Sequence, residues 1–187
     1  MTVFHFTDTA RLPWILATGE LRPGRNAIRN FPSPDFLWAT TDARGDRTAT
    51  ADRKAQRKGL TRAVRFTLEA ADFEPWSEIV RRFPQWTPEQ IDWLEDVARS
   101  RRVSPDRWRC RPDPLPSDRW CLVETKTYSG WKPLQNRNVV KVSRDPRELG
   151  TIIGGMIYMS IHEVDPATGA QIYATRAPAA ACQFDEL

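Results

Sequence analysis

His5 is the first side chain in this sequence whose type and position could do chemistry. It stands in the segment T-V-F-H-F-T-D-T, where polar and aromatic residues alternate. Successive side chains of a β-strand point to opposite faces, so His5 and Thr7 share one face while Phe4 and Phe6 occupy the other. We therefore predict a first strand that buries its phenylalanines and holds His5 in a cleft on the reverse face.

Two glutamates are the candidate catalytic carboxylates. Glu124 follows the apolar run W-C-L-V, and alternation over residues 119–125 places it on the face of Trp120 and Leu122. A carboxylate on an otherwise apolar strand needs a partner or a function, because an unpaired charge is costly to remove from water. Glu163, beside His162 in I-Y-M-S-I-H-E-V, is the rival. We prefer Glu124 and keep Glu163 as the alternative.

The residues that position His5 continue with a short helix and a second strand. Leu12, Ile15 and Leu16 fall on one stripe, and Gly19 suits the end of such a helix. The segment 36–41 then alternates as a strand and carries Trp38. A large aromatic side chain can be core, since aromatics dominate buried area, or it can serve as a stacking platform for a planar ligand.

This order resembles the start of the ADP-ribosyltransferase fold: a strand with His-x-Thr, a short helix, G-x-L-x-P, then a strand with an aromatic residue and a following Asp. The branch it is similar to has a His–Tyr–Glu triad and includes the poly-ADP-ribose polymerases and the DarT-like DNA-modifying enzymes. The resemblance implies that His5 binds the ribose of NAD, with Thr7 beside it. It also implies that Trp38 stacks on the nicotinamide, where the family usually has Tyr.

The same resemblance assigns a role to a carboxylate and to an arginine. Glu124 would polarise the ribose hydroxyl and stabilise the oxocarbenium charge, although the family often has its Glu at the start of the strand and Glu124 is near the end. A helix is expected over residues 42–60, beside the NAD site. Arg47 near its start is a candidate pyrophosphate contact, because helix N-termini favour phosphate.

The function that the resemblance implies is an NAD-dependent ADP-ribosyltransferase. Such an enzyme cleaves the nicotinamide–ribose bond and transfers ADP-ribose to a macromolecular acceptor, with NAD as co-substrate and no metal. Two alternatives stay open: an RNA 2′-phosphotransferase of the same fold, and a non-catalytic module that binds nucleic acid. Arginines cluster in 44–65, 81–82 and 99–111, the last around Trp108, which favours DNA or RNA as the acceptor. A solvated charged face is the alternative interpretation of these clusters.

Composition narrows the class of protein. With 187 residues, 40% hydrophobic and 28% charged, the chain fits one globular domain over 1–187. No apolar run approaches the length of a membrane span, and the N-terminus lacks the apolar core of a signal peptide. Three widely spaced cysteines argue against a disulfide framework and favour a reducing cytoplasm. With two histidines, a metal enzyme built on His ligands is not expected.

The remaining segments predict an α+β fold, a split and mostly antiparallel twisted sheet with small flanking helices. Residues 63–68 alternate as a strand, and 156–164 with 171–175 form a hairpin. Between them, residues 75–102 read as a helical insertion. Its main helix begins at a capping box that opens with Thr87, followed by Pro at the first helical position.

Overall fold

The computed structural model describes residues 1–8, 11–24, 31–32, 35–48, 56, 62–134, 141–142, 149–153, 156–164 and 171–178. The α-helices whose bounds fall within these residues are α1 (Leu12–Thr18), α2 (Trp76–Ile79) and α3 (Pro88–Ser100). The strands up to residue 133 are β1 (Thr2–Asp8), β2 (Glu20–Leu21), β3 (Leu37–Thr40), β4 (Ala63–Glu69), β5 (Glu74–Pro75), β6 (Trp108–Arg111), β7 (Leu115–Pro116), β8 (Trp120–Thr127) and β9 (Gly130–Pro133). Four more follow: β10 (Lys141–Val142), β11 (Leu149–Ile153), β12 (Met156–Val164) and β13 (Gln171–Pro178).

The largest sheet has seven strands in the order β5-β6-β3-β1-β4-β8-β9. The registers described in it are antiparallel: Phe4 lies opposite Thr40, Trp38 opposite Cys110, and Lys126 opposite Trp131. Strands β2 and β7 form a separate two-stranded ladder, and β12 pairs with β10, β11 and β13. The predicted α+β class with a mostly antiparallel sheet is confirmed.

The chain divides into two compact units that are both discontinuous in sequence. The first unit comprises Met1–Phe6, Glu20–Thr50 and Phe66–Leu122. The second unit comprises Thr7–Gly19, Ala51–Arg65 and Val123–Leu187. That residues 1–187 form one domain stays a prediction. Within the described residues no helix combines the length and the apolar character needed to cross a bilayer.

Burial along the strands follows the predicted alternation in β4 but not in β1. In β4, Val64, Phe66 and Leu68 are fully buried while Arg65 is only half-buried, as the sequence predicts. In β1 the buried side chains lie on both faces: Val3 and Thr7 on the face of His5, and Asp8 on the face of Phe4 and Phe6. The expectation that β1 buries its phenylalanines is therefore wrong, because Phe4 and Phe6 are half-buried, as is His5. β1 lies between β3 and β4, so both of its edges are paired, and the burial of each face depends on what packs against it.

The predicted helix ends are confirmed. Gly19 ends α1 in a left-handed conformation with φ of 69°, and its N–H donates to the carbonyl of Ile15. At the start of α3 the Thr87 hydroxyl accepts from the Gln90 N–H, and the Gln90 side chain accepts from the Thr87 N–H. These reciprocal bonds satisfy two backbone donors that a helix N-terminus would otherwise leave unpaired.

An aromatic cluster forms the core of the first unit, and the predicted helical insertion contributes much of it. Its buried members come from α2, α3, β6, the residue before β3 and the segments that follow α2: Phe36, Trp76, Ile79, Val80, Trp86, Ala98, Trp108 and Cys110. Large rings remove much apolar area from water per residue, so a few of them suffice for a core. We call these residues, with Trp38 packed against them, the aromatic cluster.

The C-terminal strands agree with the predicted hairpin. β12 pairs antiparallel with β13, with His162 opposite Ala174 and Glu163 opposite Tyr173. The side chain of Glu163 lies outside the described part of the structure, so its rivalry with Glu124 stays open. The helix predicted over 42–60 falls mostly outside the described residues; of its start, positions 47 and 48 lie in a turn.

Candidate active site

Glu124 in β8 is bound by Arg65 of β4 in the second unit. The Arg65 Nη2 and Nε atoms lie 2.5 and 2.8 Å from the same carboxylate oxygen, Oε2. The two side chains are only 9% and 14% exposed, for Glu124 and Arg65 respectively. A carboxylate this covered would be unfavourable alone, and the guanidinium offsets its charge through two charge-assisted bonds. Arg65 is therefore an ion-pair partner of the kind that the sequence analysis expected for Glu124.

The second oxygen of Glu124, Oε1, receives no hydrogen bond from any residue in the described part of the chain. Two other buried carboxylates differ from it. Asp8 uses both oxygens on the backbone and side chain of Arg11. Asp35 accepts from the Phe36 N–H on one oxygen and from the Trp38 indole on the other. Because buried polar atoms are nearly always bonded, an unbonded oxygen on a buried carboxylate calls for a functional explanation.

The guanidinium of Arg65 also packs over the indole ring of Trp131 in β9. The guanidinium carbon lies 4.6 Å from the centre of the indole ring, which is a cation–π distance. Lys126, paired with Trp131 across the β8–β9 ladder, has its Nζ 5.2 Å from the same ring. Stacking restricts the plane of Arg65, so it also fixes the carboxylate that Arg65 binds.

Sequence reasoning missed Arg65 and Trp131 as members of this site. Arg65 was seen only as one of the polar positions of an alternating strand. A signal was available, since an arginine facing a strand that carries a lone glutamate is a candidate partner for it. Nothing in the sequence says that the strands of Arg65 and Glu124 are neighbours, because 59 residues separate the two.

His5 and Trp38 are brought together in the first unit, but through the backbone of Trp38. The Nδ1 atom of His5 lies 2.7 Å from the Trp38 carbonyl oxygen. A carbonyl only accepts, so Nδ1 carries the proton, and in the neutral ring the lone pair lies on Nε2. The ring is half-buried and its centre is 6.1 Å from that of Phe66, tilted by 55°. This hydrogen bond sets both the tautomer and the orientation of His5.

The indole of Trp38 packs among other rings of the aromatic cluster. Ring centres lie 4.9 Å away for Trp76 and 5.5 Å for Trp108. The indole Nε1 donates to Asp35 Oδ2 at 2.9 Å. These contacts fit the core interpretation of a half-buried residue, and its role as a nicotinamide platform stays a prediction.

The two other residues predicted to bind NAD have less to distinguish them. Thr7 is buried in β1, on the face it shares with His5. Arg47 is exposed in a turn, and its carbonyl oxygen lies 3.5 Å from Nη1 of Arg101. Their assignment to the cofactor site stays a prediction.

The described cysteines do not suit nucleophilic catalysis. Burial raises the pKa of the Cys110 thiol well above its usual value. Loss of solvent and a hydrogen bond to Glu69 also raise the pKa of Cys121. The thiolate is the reactive form of cysteine, so both groups stay protonated and unreactive near neutral pH. Among the described residues no group of three or more His, Cys, Asp or Glu is placed to hold a metal ion.

Comparison with known proteins gives no relative: no family model matches the chain, and neither a curated protein nor a solved structure does. The likeness to ADP-ribosyltransferases therefore depends on the residue order of the first quarter of the chain. The geometry around Glu124 belongs to the second unit and that around His5 to the first unit.

Proposed function

We propose that this protein is an NAD-dependent ADP-ribosyltransferase in which Glu124 is the catalytic carboxylate. The observation that carries the proposal is the one-sided pairing of Glu124: Arg65 binds Oε2, while Oε1 receives no hydrogen bond from the described residues. A carboxylate oxygen in this state can accept from a substrate hydroxyl. The order of residues around His5 makes the ribose of NAD the hydroxyl that we assign to it.

The reaction breaks the bond between C1′ of the ribose and the ring nitrogen of nicotinamide. The bonding electrons stay with nicotinamide, which leaves as a neutral molecule, and positive charge develops on the sugar. Glu124 stabilises that charge in the transition state more than in the ground state, which is what accelerates the step. A nucleophile on the acceptor then bonds to C1′ and gives up its proton.

Arg65 and His5 contribute orientation rather than bond making. Arg65, stacked on Trp131, holds the carboxylate in one position, so little freedom is lost when the substrate binds. His5 binds a ribose hydroxyl, as the resemblance implies, with its ring already fixed by the bond to the Trp38 carbonyl. Thr7, Trp38 and Arg47 complete the NAD contacts in this proposal.

Nucleic acid is the acceptor that we propose. Two exposed arginines, Arg81 and Arg101, have no carboxylate partner within the described residues, so their charges are available to the phosphates of the acceptor. A cytoplasmic location is part of the same proposal, because the two described cysteines are free thiols, which persist in a reducing compartment.

Release of nicotinamide from NAD tests the catalytic role of Glu124. We expect the wild-type protein to release nicotinamide and Glu124→Gln to do so about a hundredfold more slowly or worse, because one electrostatic contact to the transition state is lost. Glu124→Asp keeps the negative charge near Arg65 but withdraws the carboxylate by one methylene, and should lose most of the activity as well. Thermal melting of each variant shows whether the fold is retained.

Glu78→Gln is the matched control, since Glu78 is exposed on α2 and the substitution is the same. It should release nicotinamide at the wild-type rate. Turnover by a folded Glu124→Gln within a few-fold of wild type would remove Glu124 from the site. Absence of any nicotinamide release by the wild-type protein, with nucleic acid present or not, would end the proposal.

A further inference from the structure

The C-terminal end of α3 contains a strained residue. Arg102 has φ of 61°, and it is the single non-glycine residue with positive φ among those described. The helix ends there in a Schellman arrangement, in which the Arg102 N–H donates to the Arg99 carbonyl and the Val103 N–H to the Ala98 carbonyl, both at 2.9 Å. Glycine usually occupies the left-handed position of this motif, because it has no Cβ to clash with the backbone.

A pocket of about 560 Å³ opens at the same helix end. Its lining combines an apolar part with hydroxyl and charged groups: Trp76, Ser77, Glu95, Arg99, Arg102, Val103, Ser104, Pro105 and Asp106. The size falls in the range of pockets that bind small molecules. None of the residues assigned to NAD lines it, so it is a different site in the first unit.

Arg99 and Glu95 in the pocket lining pair with each other, whereas Arg102 and Asp106 have no ion-pair partner within the described residues. Arg99 binds Glu95 at 2.5 Å and Asp96 at 2.8 Å. The other oxygen of Glu95 accepts from the indole of Trp76, so that carboxylate has no spare oxygen. Asp106 accepts from the Ser104 hydroxyl. Arg102 has no ion pair or side-chain hydrogen bond within the described residues.

The end of the helix does not cancel this charge. A helix C-terminus carries about half a negative charge, and here two of its exposed carbonyls are already bonded in the cap. Arg101, the neighbour of Arg102, likewise has no carboxylate partner among the described residues and points a guanidinium nitrogen toward the Arg47 carbonyl. Two guanidiniums without a carboxylate partner among the described residues, those of Arg101 and Arg102, are therefore adjacent at this helix end, and Arg102 has a conformation that a glycine would adopt more easily.

We infer that this pocket binds a small phosphate-bearing ligand and that Arg102 contacts its phosphate. The strain at Arg102 is then explained, since residues in unfavourable conformations are kept where a ligand needs their side chain. Guanidinium is suited to phosphate because it offers parallel N–H donors and a permanent charge. The Ser77 hydroxyl and the Asp106 carboxylate at the rim offer hydrogen bonds to the hydroxyls of an attached sugar. This inference does not depend on the proposed transferase activity.

Arg102→Gly gives a test that separates binding from stability. It removes the guanidinium and relieves the backbone, so the Tm should rise by about 2–4 °C. The affinity for AMP, measured by calorimetric titration of the full chain, should fall about tenfold or more, because a charge-assisted contact is lost. Arg102→Asn, which also tolerates the left-handed conformation, should lose the same affinity. Arg82→Gln, at an exposed arginine outside the pocket that is paired with Glu74, is the matched control and should bind as wild type.

Three probes identify what is bound. Inorganic phosphate alone should bind and compete with AMP, while adenosine should not bind, which places the recognition on the phosphate. Tighter binding of AMP than of phosphate means that the sugar hydroxyls contribute. Failure of both AMP and phosphate to bind, or equal AMP binding by wild type and Arg102→Gly, would overturn the inference. Binding of adenosine as tightly as AMP would overturn it too.

Discussion

The carboxylates around the aromatic cluster differ from that of Glu124 in how many of their oxygens accept hydrogen bonds. Around the cluster, Asp35, Asp46 and Glu95 each receive an indole N–H on one oxygen and a second donor on the other. Glu124 receives both of its bonds on one oxygen, from one arginine. The first arrangement uses acidic residues to satisfy buried tryptophans. The second leaves an oxygen for another molecule, so the number of occupied oxygens distinguishes structural from candidate catalytic carboxylates here.

The largest effect should come from breaking the pair at Glu124. Arg65→Met leaves a buried carboxylate without its cation, and we expect the free energy of unfolding to fall by about 3–5 kcal/mol. The double variant Arg65→Met/Glu124→Gln should recover most of that loss, because no buried charge remains. Urea unfolding of the two single variants and the double variant measures the coupling. A loss for the double variant equal to the sum of the two single-variant losses would mean that the pair carries no stabilising coupling, and the comparison would fail.

A smaller effect is expected at Asp35, and it should fall on stability rather than activity. Asp35→Asn keeps the shape but places an amide, which is partly a donor, where two donors converge. One contact is then lost or reversed, and we expect the loss of unfolding free energy to be about 1–3 kcal/mol. Nicotinamide release by the folded variant should stay near the wild-type rate. Loss of release without loss of stability would instead mean that Asp35 positions Trp38 for the reaction through the hydrogen bond to its indole.

The local elements of this fold could be predicted from the sequence, because short-range chemistry decides them. The capping box at Thr87 and the glycine stop at Gly19 involve residues three or four positions apart. The alternation of buried and less buried residues in β4 can be predicted from the sequence of that strand alone. In β1 the same reasoning failed, because buried side chains lie on both faces and the burial of a central strand depends on what packs against each face.

The site could be predicted only in part. Glu124 was identified because a charge on an apolar strand is locally anomalous. Arg65, Trp131 and the packing around Trp38 depend on which strands and helices become neighbours, and that order is set by contacts far apart in sequence. The sequence could name His5, Trp38 and Glu124 as candidates because each is distinctive within its own segment, and their roles stay a prediction. Sequence reasoning misses partners whose significance appears only in the folded sheet.

The smallest effect should appear at Asp42, a partly exposed carboxylate that accepts hydrogen bonds on both oxygens. The backbone N–H of Arg44 donates to Asp42 Oδ1 at 2.9 Å, and this bond lowers the pKa of Asp42 below its usual value of 3.8. The charged side chains of Arg44 and Arg107 lower this pKa further. The unfolded chain therefore binds more protons near that pH, so stability from Asp42 is present above 3.8 and is lost as the pH falls through the lower folded pKa. Asp42→Asn should be slightly less stable than wild type at pH 6, and the gap should shrink in acid. If the difference in urea midpoint between wild type and Asp42→Asn stays constant from pH 6 to about pH 2, ionisation of Asp42 contributes nothing to stability. Carboxylates with donors on both oxygens would then stabilise this fold through their hydrogen-bond geometry and not through their charge.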